Sequence, residues 1–227
     1  MDNHYYDRYW KRRLLKEKSD PIPLWLPHIL IQYSAYGAIL NRIPPGSKIL
    51  DLGCGDGNVT RLYTVKGDVV GVDASEKALT QTKKRGIKAV QHDLNTLPYP
   101  FRQGSFDVIV LTDVLEHLID PFATLRECKR ILKKNGRVII TVPNFARLSN
   151  RIRMLFGDPV DILHFDKYGD EAEHLHWFTK PKLIHIAFTS GFTSISFVST
   201  GLWSAGFVFG LIGVPQLGKF LTAVLTP

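Results

Sequence analysis

Cysteine is scarce in this chain: two residues, Cys54 and Cys128, among 227. Neither sits in a CxxC pair, which excludes a zinc ribbon and a thioredoxin-type redox motif. A reducing compartment suits such a chain. No run reaches the ~20 consecutive apolar residues that a membrane-spanning helix needs. The N-terminus is polar and charged and lacks the apolar core of a secretory signal. There is no internal repeat, no low-complexity linker and no HExxH zinc motif. No RNA- or DNA-binding motif accompanies the basic residues, so nucleic acid is not expected as a partner. These absences point to a cytoplasmic protein.

Apolar residues are plentiful. At 44% hydrophobic, the chain can bury a real core, enough for one domain with an appendage. Lys and Arg number 29 against 21 Asp and Glu, a formal charge of +8. That balance suits an anionic membrane or ligand, or simply a solvated surface. Six of the basic residues fall between Arg8 and Lys18, beside Tyr5, Tyr6, Tyr9 and Trp10. Residues 4–18 therefore read as a basic, interface-seeking helix. A second helix over 23–43 carries Leu26, Ile29, Leu30, Tyr33 and Tyr36, and Pro44-Pro45-Gly46 stops it.

A rhythm of short apolar strands and amphipathic helices follows. "KILDLG", "DVVGVD", "KAVQHD", "FDVIVLTD" and "RVIITVP" read as strands, with "NVTRLYTV", "SEKALTQTKKRG" and residues 121–134 as helices. Such alternation implies βαβ units and a parallel sheet covered on both faces. The 121–134 helix has Asp120 as N-cap, Pro121 in its first turn and Asn135-Gly136 as its C-terminal turn. Leu125, Cys128, Ile131 and Leu132 repeat at helical spacing, which makes Cys128 a core residue. Beyond Pro143, "NFARLSNRIRMLFG" reads as a basic helix and 158–178 as an irregular, His-rich stretch. A helix over 179–191 has Thr179 as cap, and "FTSISFVST" is a strand.

The stretch "ILDLGCGDG" carries the chemistry. Glycines 53, 55 and 57 follow an apolar strand and precede a helix, where backbone N–H groups can meet a ligand. An acid ending the next strand can take ribose hydroxyls, and Asp73 stands there, 18 residues after Gly55. Dinucleotide-binding enzymes show GxGxxG. The spacing here is GxGxG behind Asp51, which disfavours pyrophosphate cradling and a nicotinamide dehydrogenase. It favours a ligand without phosphates.

"ILDLGCGDG", "GVDAS", "QHDLNTLPYPFRQGSFDVIVLTDVLEHLIDP" and "RECKRILKKNGRVIITVPN" together resemble the successive motifs of class I S-adenosylmethionine-dependent methyltransferases of the type 11, ubiquinone-methyltransferase-like kind. The likeness covers residues 47–144, and "HLHWFTKPKLIHIAFTSGF" extends it to about 192. It implies an α/β, Rossmann-like doubly wound sheet of seven strands with the last antiparallel, supplemented by N-terminal helices and an apolar helical insertion near the C-terminus. "KFLTAVLT" would be the last strand. The cofactor implied is S-adenosyl-L-methionine. Asp51, Gly53, Cys54 and Gly55 would line its methionine and ribose. Asp73 would take the ribose hydroxyls, with Ala74 against the adenine. Asp93 would accept from the adenine amino group, with Leu94 beside it, and Leu111 and Thr112 would border the methionine end. Asn135-Gly136 stands where the family often has Gly-Gly.

Methyl transfer to oxygen or nitrogen needs positioning and, for many acceptors, a base. His117, His174 and His176 are the candidate bases, with His164 and Asp166 in the same stretch. Asp113, Glu116 and His117 resemble the acidic cluster with which some quinone O-methyltransferases hold a divalent metal, and such ligands would suit Mg or Mn. Many relatives carry Glu-His without metal, so the three residues are only candidates for one.

Between Gly191 and Gly218 there is no Asp, Glu, Lys or Arg. Residues 202–214 are apolar all round, and two readings stand: a buried helix, or one facing a membrane or partner. The expected organisation is N-terminal helices over 1–43 as a substrate cap or membrane-facing element, a cofactor-binding core over 44–200, and an apolar helix with the final strand over 201–227. The acceptor expected is a small or lipid-linked molecule, with a membrane surface met through the basic N-terminus and residues 202–214. The competing reading is a partner subunit without activity of its own, because the 150–192 region also resembles the MetW-type protein that accompanies homoserine acetyltransferase in methionine biosynthesis.

Overall fold

The structure is a computed structural model that describes residues 7, 10, 11, 35–157, 174–198 and 220–227. The element order is α1 (Ala35–Leu40), β1 (Ser47–Leu52), β2 (Gly67–Asp73), α2 (Glu76–Lys84), β3 (Lys88–Gln91), β4 (Phe106–Thr112), α3 (Pro121–Ile131), β5 (Leu132–Pro143), α4 (Leu148–Leu155), α5 (Lys180–Thr189), β6 (Ser194–Val198) and β7 (Phe220–Thr226). Short 3-10 turns occupy Thr60–Lys66 and Leu115–His117. The strands form one seven-stranded sheet in the order β3-β2-β1-β4-β5-β7-β6. Pairings from β3 through β5 are parallel, and β7 runs antiparallel to both β5 and β6. The expected α/β fold with an antiparallel last strand is what the structure shows, with "FLTAVLT" as that strand.

Successive side chains on a strand point to opposite faces, and the core divides accordingly. Leu50, Leu52, Ile109, Leu111, Val138, Ile140 and Val142 lie on one face, under Leu125, Cys128 and Ile131 of α3 and Leu183 and Ile186 of α5. Ile49, Val108, Val110 and Ile139 lie on the other, with Ile39, Ile43 and Tyr63. Cys128 is fully buried.

The helix starts follow their caps. Asp120 accepts from the Ala123 N–H at 2.9 Å and Thr179 from the Lys182 N–H at 3.4 Å. The end of α3 differs from expectation. The helix stops at Ile131 and not at 134, and Leu132–Gly136 are extended. Leu132 pairs with Phe106, and the Lys133 ammonium reaches both oxygens of Asp107 at 2.8 and 2.9 Å. Gly136 sits so close to Leu132 and to the Asp107 carbonyl that a Cβ would overlap them. Tertiary pairing thus takes residues whose local signals read as a helix end. "NVTRLYTV" likewise forms a 3-10 turn and not an α-helix.

Of the N-terminal helices, Asp7, Trp10 and Lys11 are helical, as is Ala35–Leu40, which ends in a turn over 41–43 where the helix is expected to run on; residues 4–6, 8–9, 12–18, 23–34 and 202–214 lie outside the described residues. Among the described residues no helix is long and apolar enough to cross a membrane.

Glu127 locks the 98–101 loop onto α3. It accepts from the buried Tyr99 N–H at 2.7 Å and from the Arg130 guanidinium through Nη2 at 2.6 Å and Nε at 2.8 Å. Arg130 also donates to the Phe101 carbonyl at 2.9 Å. Replacing Glu127 by Ala strands the Tyr99 N–H and should cost about 2 kcal/mol. Thermal denaturation should show a Tm lower by roughly 4–8 °C for a chain of this size; an unchanged Tm would contradict this account.

Candidate functional site

The C-terminal ends of β1, β2 and β4 meet at one edge of the sheet, where open α/β folds bind their ligands. The chain turns there because the Gly53 and Cys54 N–H groups both donate to the Val72 carbonyl, at 2.8 and 2.9 Å. Gly53 has φ of 74° and Gly55 φ of 55°, in the left-handed region that favours glycine. Space matters as well. A Cβ on Gly53 would overlap the Val114 side chain, and one on Gly55 would overlap the Trp10 indole. These glycines therefore make room for the protein's own side chains, a role that the spacing alone did not suggest. Cys54 is similar: its thiol packs where Gly71 of β2 leaves room. Burial pushes that thiol far above the ordinary cysteine range, with the nearby Asp51 and Asp73 adding to the effect.

Two buried acids flank the turn. Asp51 is 4% exposed and accepts from the Thr60 hydroxyl at 2.6 Å. Burial raises its pKa to about 7, against the lowering effect of the Thr60 bond and with a further rise from Asp73. Asp73 ends β2 and uses both oxygens: Oδ2 accepts from the Gly55 N–H and Oδ1 from the Ser75 N–H, each at 2.9 Å. Burial raises its pKa too, opposed by those backbone bonds. Ala74, next in line, is buried. Asp93 closes a turn by accepting from the Asn95 N–H at 2.9 Å. Leu94 is in the core, where its carbonyl accepts from the Tyr99 hydroxyl at 3.1 Å.

At the end of β4, Leu111 is fully buried in the core, and Thr112 meets the Tyr63 hydroxyl at 3.3 Å. Asp113 follows with φ of 53°, a left-handed conformation unusual outside glycine, asparagine and aspartate. Glu116 is 1% exposed, and among the described residues neither of its carboxylate oxygens has a hydrogen-bond partner. Burial, and then the charge of Asp113, push its pKa well above the usual carboxylate range.

His174 comes from the segment that precedes α5. Its ring centroid lies 4.8 Å from that of His117. One donor atom each from Glu116, His117 and His174 lie within 4.8 Å of one another, and Asp113 stands outside that set. The Asp113–Glu116–His117 grouping expected from one helical turn is thus replaced by a set that takes His174 from a distant segment. The His176 ring faces the Ile119 carbonyl at 3.3 Å, and the His176 backbone N–H donates to the Glu116 carbonyl at 3.1 Å. That residue secures the loop on which Glu116 sits. His164 and Asp166 lie outside the described residues.

Several participants have no signature in the sequence. Thr60 on Asp51, Thr82 on the Gly55 carbonyl at 2.8 Å, and Asp7 and Trp10 against the two loops are ordinary residues until folding brings them there.

A sheet of this order, closed by antiparallel pairing at β7 and carrying Asp51 near the end of β1 and Asp73 at the end of β2 around a glycine turn, has the class I methyltransferase fold. Residues 50–140 match the family described as Methyltransferase domain. In this stretch and in its fold the chain is similar to class I S-adenosylmethionine-dependent methyltransferases. It is 27% identical over 161 residues to 27-O-demethylrifamycin SV methyltransferase of Amycolatopsis mediterranei, covering 60% of this chain and 59% of that protein. It is 27% identical over 153 residues to the ubiquinone biosynthesis O-methyltransferase of Histophilus somni, covering 60% and 64%. The chain spans about half the length of the curated relatives it matches. A solved S-adenosylmethionine-dependent methyltransferase of Thermotoga maritima, described as a possible histamine N-methyltransferase, shares the fold. Its TM-score is 0.66 at 19% identity, over 98% of each chain.

The raised pKa of Asp51 sets a pH dependence. Its value is 3.8 in an unperturbed chain and about 7 here, so the folded protein binds more protons between those values. The stability linked to this proton is complete below the lower value and is lost as pH rises through the upper one. Asp51→Asn carries no charge, so without added ligand it should exceed the parent in stability above pH 7, by up to about 4 kcal/mol. The gap should close toward pH 4. Thermal melts of both proteins across this range check it, and a gap independent of pH would refute the assignment.

Proposed function

We propose that the protein transfers a methyl group from S-adenosyl-L-methionine to an oxygen or nitrogen of a small or lipid-linked acceptor. The observation that carries this reading is the pair of buried carboxylates around the glycine turn. Asp51 sits where ionisation is disfavoured until a positive charge approaches, which suits the cationic methionine end of the cofactor. Asp73, fixed by two backbone N–H groups, suits the ribose hydroxyls. Gly53 and Gly55 would border the same portion, and Cys54 would do so through its backbone. Ala74, Asp93 and Leu94 would surround the adenine, and Leu111 and Thr112 would border the methionine end. When bound, the cofactor supplies an electrophilic methyl group on a sulfonium.

The chain's own part is to place the acceptor in line with that methyl and to take its proton. His117 and His174 suit the proton, because their rings adjoin and Glu116 lies beside both. His176, turned onto the Ile119 carbonyl, suits loop support better. A second reading of this cluster rests on the two partnerless oxygens of Glu116: with two imidazoles at hand, they would accept a divalent cation. Calorimetric titration with Mn²⁺ separates the readings, since a base pair needs no saturable site and a cation site does.

For a lipid-linked acceptor, the support is in α4 and the residues after it. Ile152, Met154, Leu155 and Phe156 are all exposed, the last two above 80%, among Arg147, Arg151 and Arg153. Such a face suits an anionic membrane surface, as the basic N-terminal residues and 202–214 would.

Calorimetry with S-adenosylhomocysteine tests the central reading. The parent should bind one equivalent, and Asp73→Ala should weaken binding tenfold or more, about 1.4 kcal/mol. No binding by the folded parent would sink the proposal, and equal affinity in the variant would sink the role of Asp73. Under the MetW-type reading, no methyl transfer would appear even with bound cofactor, and a second chain would co-purify.

A further inference from the structure

Asn58 follows the third glycine of the turn and is 2% exposed. Among the described residues its side-chain Nδ2 has no hydrogen-bond partner. A buried N–H without an acceptor is rare in native structures and destabilising. Chemistry decides which end of the amide is the orphan. Nε of Arg61 donates to Oδ1 of Asn58 at 2.9 Å and to the Asn58 carbonyl at 3.0 Å, and a guanidinium can be met only by an acceptor. The oxygen is therefore held on the Arg61 side, and the NH2 group is turned away from it. The turn around Asn58 is tight. The Gly57 N–H donates to the Cys54 carbonyl at 3.0 Å, and the Asn58 N–H to Oδ1 of Asp56 at 3.1 Å. Next in the chain, the Thr60 hydroxyl reaches Asp51 at 2.6 Å and the Cys54 carbonyl at 3.4 Å. Asn58 is thus anchored in the same folded turn as the buried Asp51.

Resting on the cofactor reading above, we propose that Nδ2 of Asn58 binds the carboxylate at the amino-acid end of S-adenosyl-L-methionine. An α-amino acid carries its carboxylate on the same carbon as its ammonium. A turn that takes the ammonium at Asp51 must therefore meet the carboxylate close by. A carboxylate can only accept, and Asn58 brings the donor that it needs. A neutral amide suits the place better than a lysine or arginine would, because a cation there would compete with the ammonium for Asp51. Arg61 holds Oδ1 and so fixes the direction of Nδ2. Asp51 and Asn58 then form a matched pair, an acceptor for one charge and a donor for the other. The pair selects a zwitterionic amino-acid tail over a nucleoside that lacks one. Neither residue takes part in the methyl transfer.

The test uses the full chain with S-adenosylhomocysteine and with its decarboxylated analogue, in which hydrogen replaces the carboxylate. The parent should bind S-adenosylhomocysteine more tightly than the analogue. Asn58→Asp keeps the shape and leaves an oxygen for Arg61, but it sets an anion against the carboxylate. In calorimetry it should raise the Kd of S-adenosylhomocysteine tenfold or more and leave that of the analogue no higher than in the parent. Folding is checked by a cooperative thermal melt. If the variant fails to fold, the parent alone still decides: the NMR signals of the Asn58 side-chain NH2 should shift with S-adenosylhomocysteine and not with the analogue. A folded variant that weakens both ligands equally overturns the proposal, since Asn58 would then only shape the turn. Unchanged affinity for both also overturns it, since water would then satisfy the donor. So do NH2 signals that move alike with either ligand, and so does a parent with no preference between the two. A parent that binds neither ligand refutes the cofactor reading itself, whereas a parent that binds beside a variant of the same preference refutes only the role of Asn58.

Discussion

The bonds from the Gly55 and Ser75 N–H groups to the Asp73 carboxylate organise the edge of the sheet on which everything else rests. One acid receives the glycine turn after β1 and the first residue of the α2 cap. The two loops that would hold a cofactor are therefore one unit. Ser75 also caps α2 by accepting from the Ala78 N–H at 3.3 Å, so the helix, the strand end and the turn share one small network. Hydrogen bonds to an ionised acceptor are stronger than neutral ones, which is why a carboxylate serves here better than an amide. The same burial that makes these bonds firm raises the cost of the charge. The network is firm only while that charge is offset, and the two N–H donors are what offset it.

Much of this was legible in the chain itself. Asp120 and Thr179 cap their helices, Cys128 is core, and Asp73 stands at the end of β2, all from local pattern. Local pattern failed where a distant residue decided. Lys133 and Gly136 look like a helix end, but Asp107 and β4 draw them into a strand. The glycines are the sharper case. Their positions announce a ligand loop, yet Val114 and Trp10 fill the space that they vacate. Glycine in a sequence reports that something comes close; it does not say what. The histidines show the same limit: His117, His174 and His176 look alike in the sequence, and only folding separates a pair beside Glu116 from a ring set on the Ile119 carbonyl.

The Asp113–His117 segment, on the proposed acceptor side, is built with less regular structure than the β2–α2 edge that holds Asp73. Asp113 holds a left-handed backbone directly after β4, and a short 3-10 turn then carries Glu116 inward and His117 outward. Backbone strain of this kind persists only where its surroundings over-determine it. Here the Asp113 N–H bonds to the Thr141 carbonyl at 2.9 Å, and the Glu116 carbonyl accepts from the His176 N–H at 3.1 Å. β5 and the 174–178 segment clamp the turn from two sides. The cost of a buried Glu116 is thus borne by a frame that cannot relax around it.

Asp51 and Glu116 raise one question at the two ends of the site. Each is a buried acid whose proton affinity is lifted mainly by loss of water, and among the described residues no cation acts on either. A chain selected for stability alone would replace such acids by amides or apolar residues. Retaining them makes sense if the missing positive charge arrives from outside. At Asp51 a cationic ligand would restore the ionised form and recover the cost, so part of the binding energy is stored as instability of the unliganded protein. At Glu116 the imidazoles of His117 and His174 are at hand to gain a proton, and the acid would steady the imidazolium that results. On the proposed reading, Asp51 would find its counter-charge when the cofactor is in place, and Glu116 when an imidazole beside it takes the acceptor's proton.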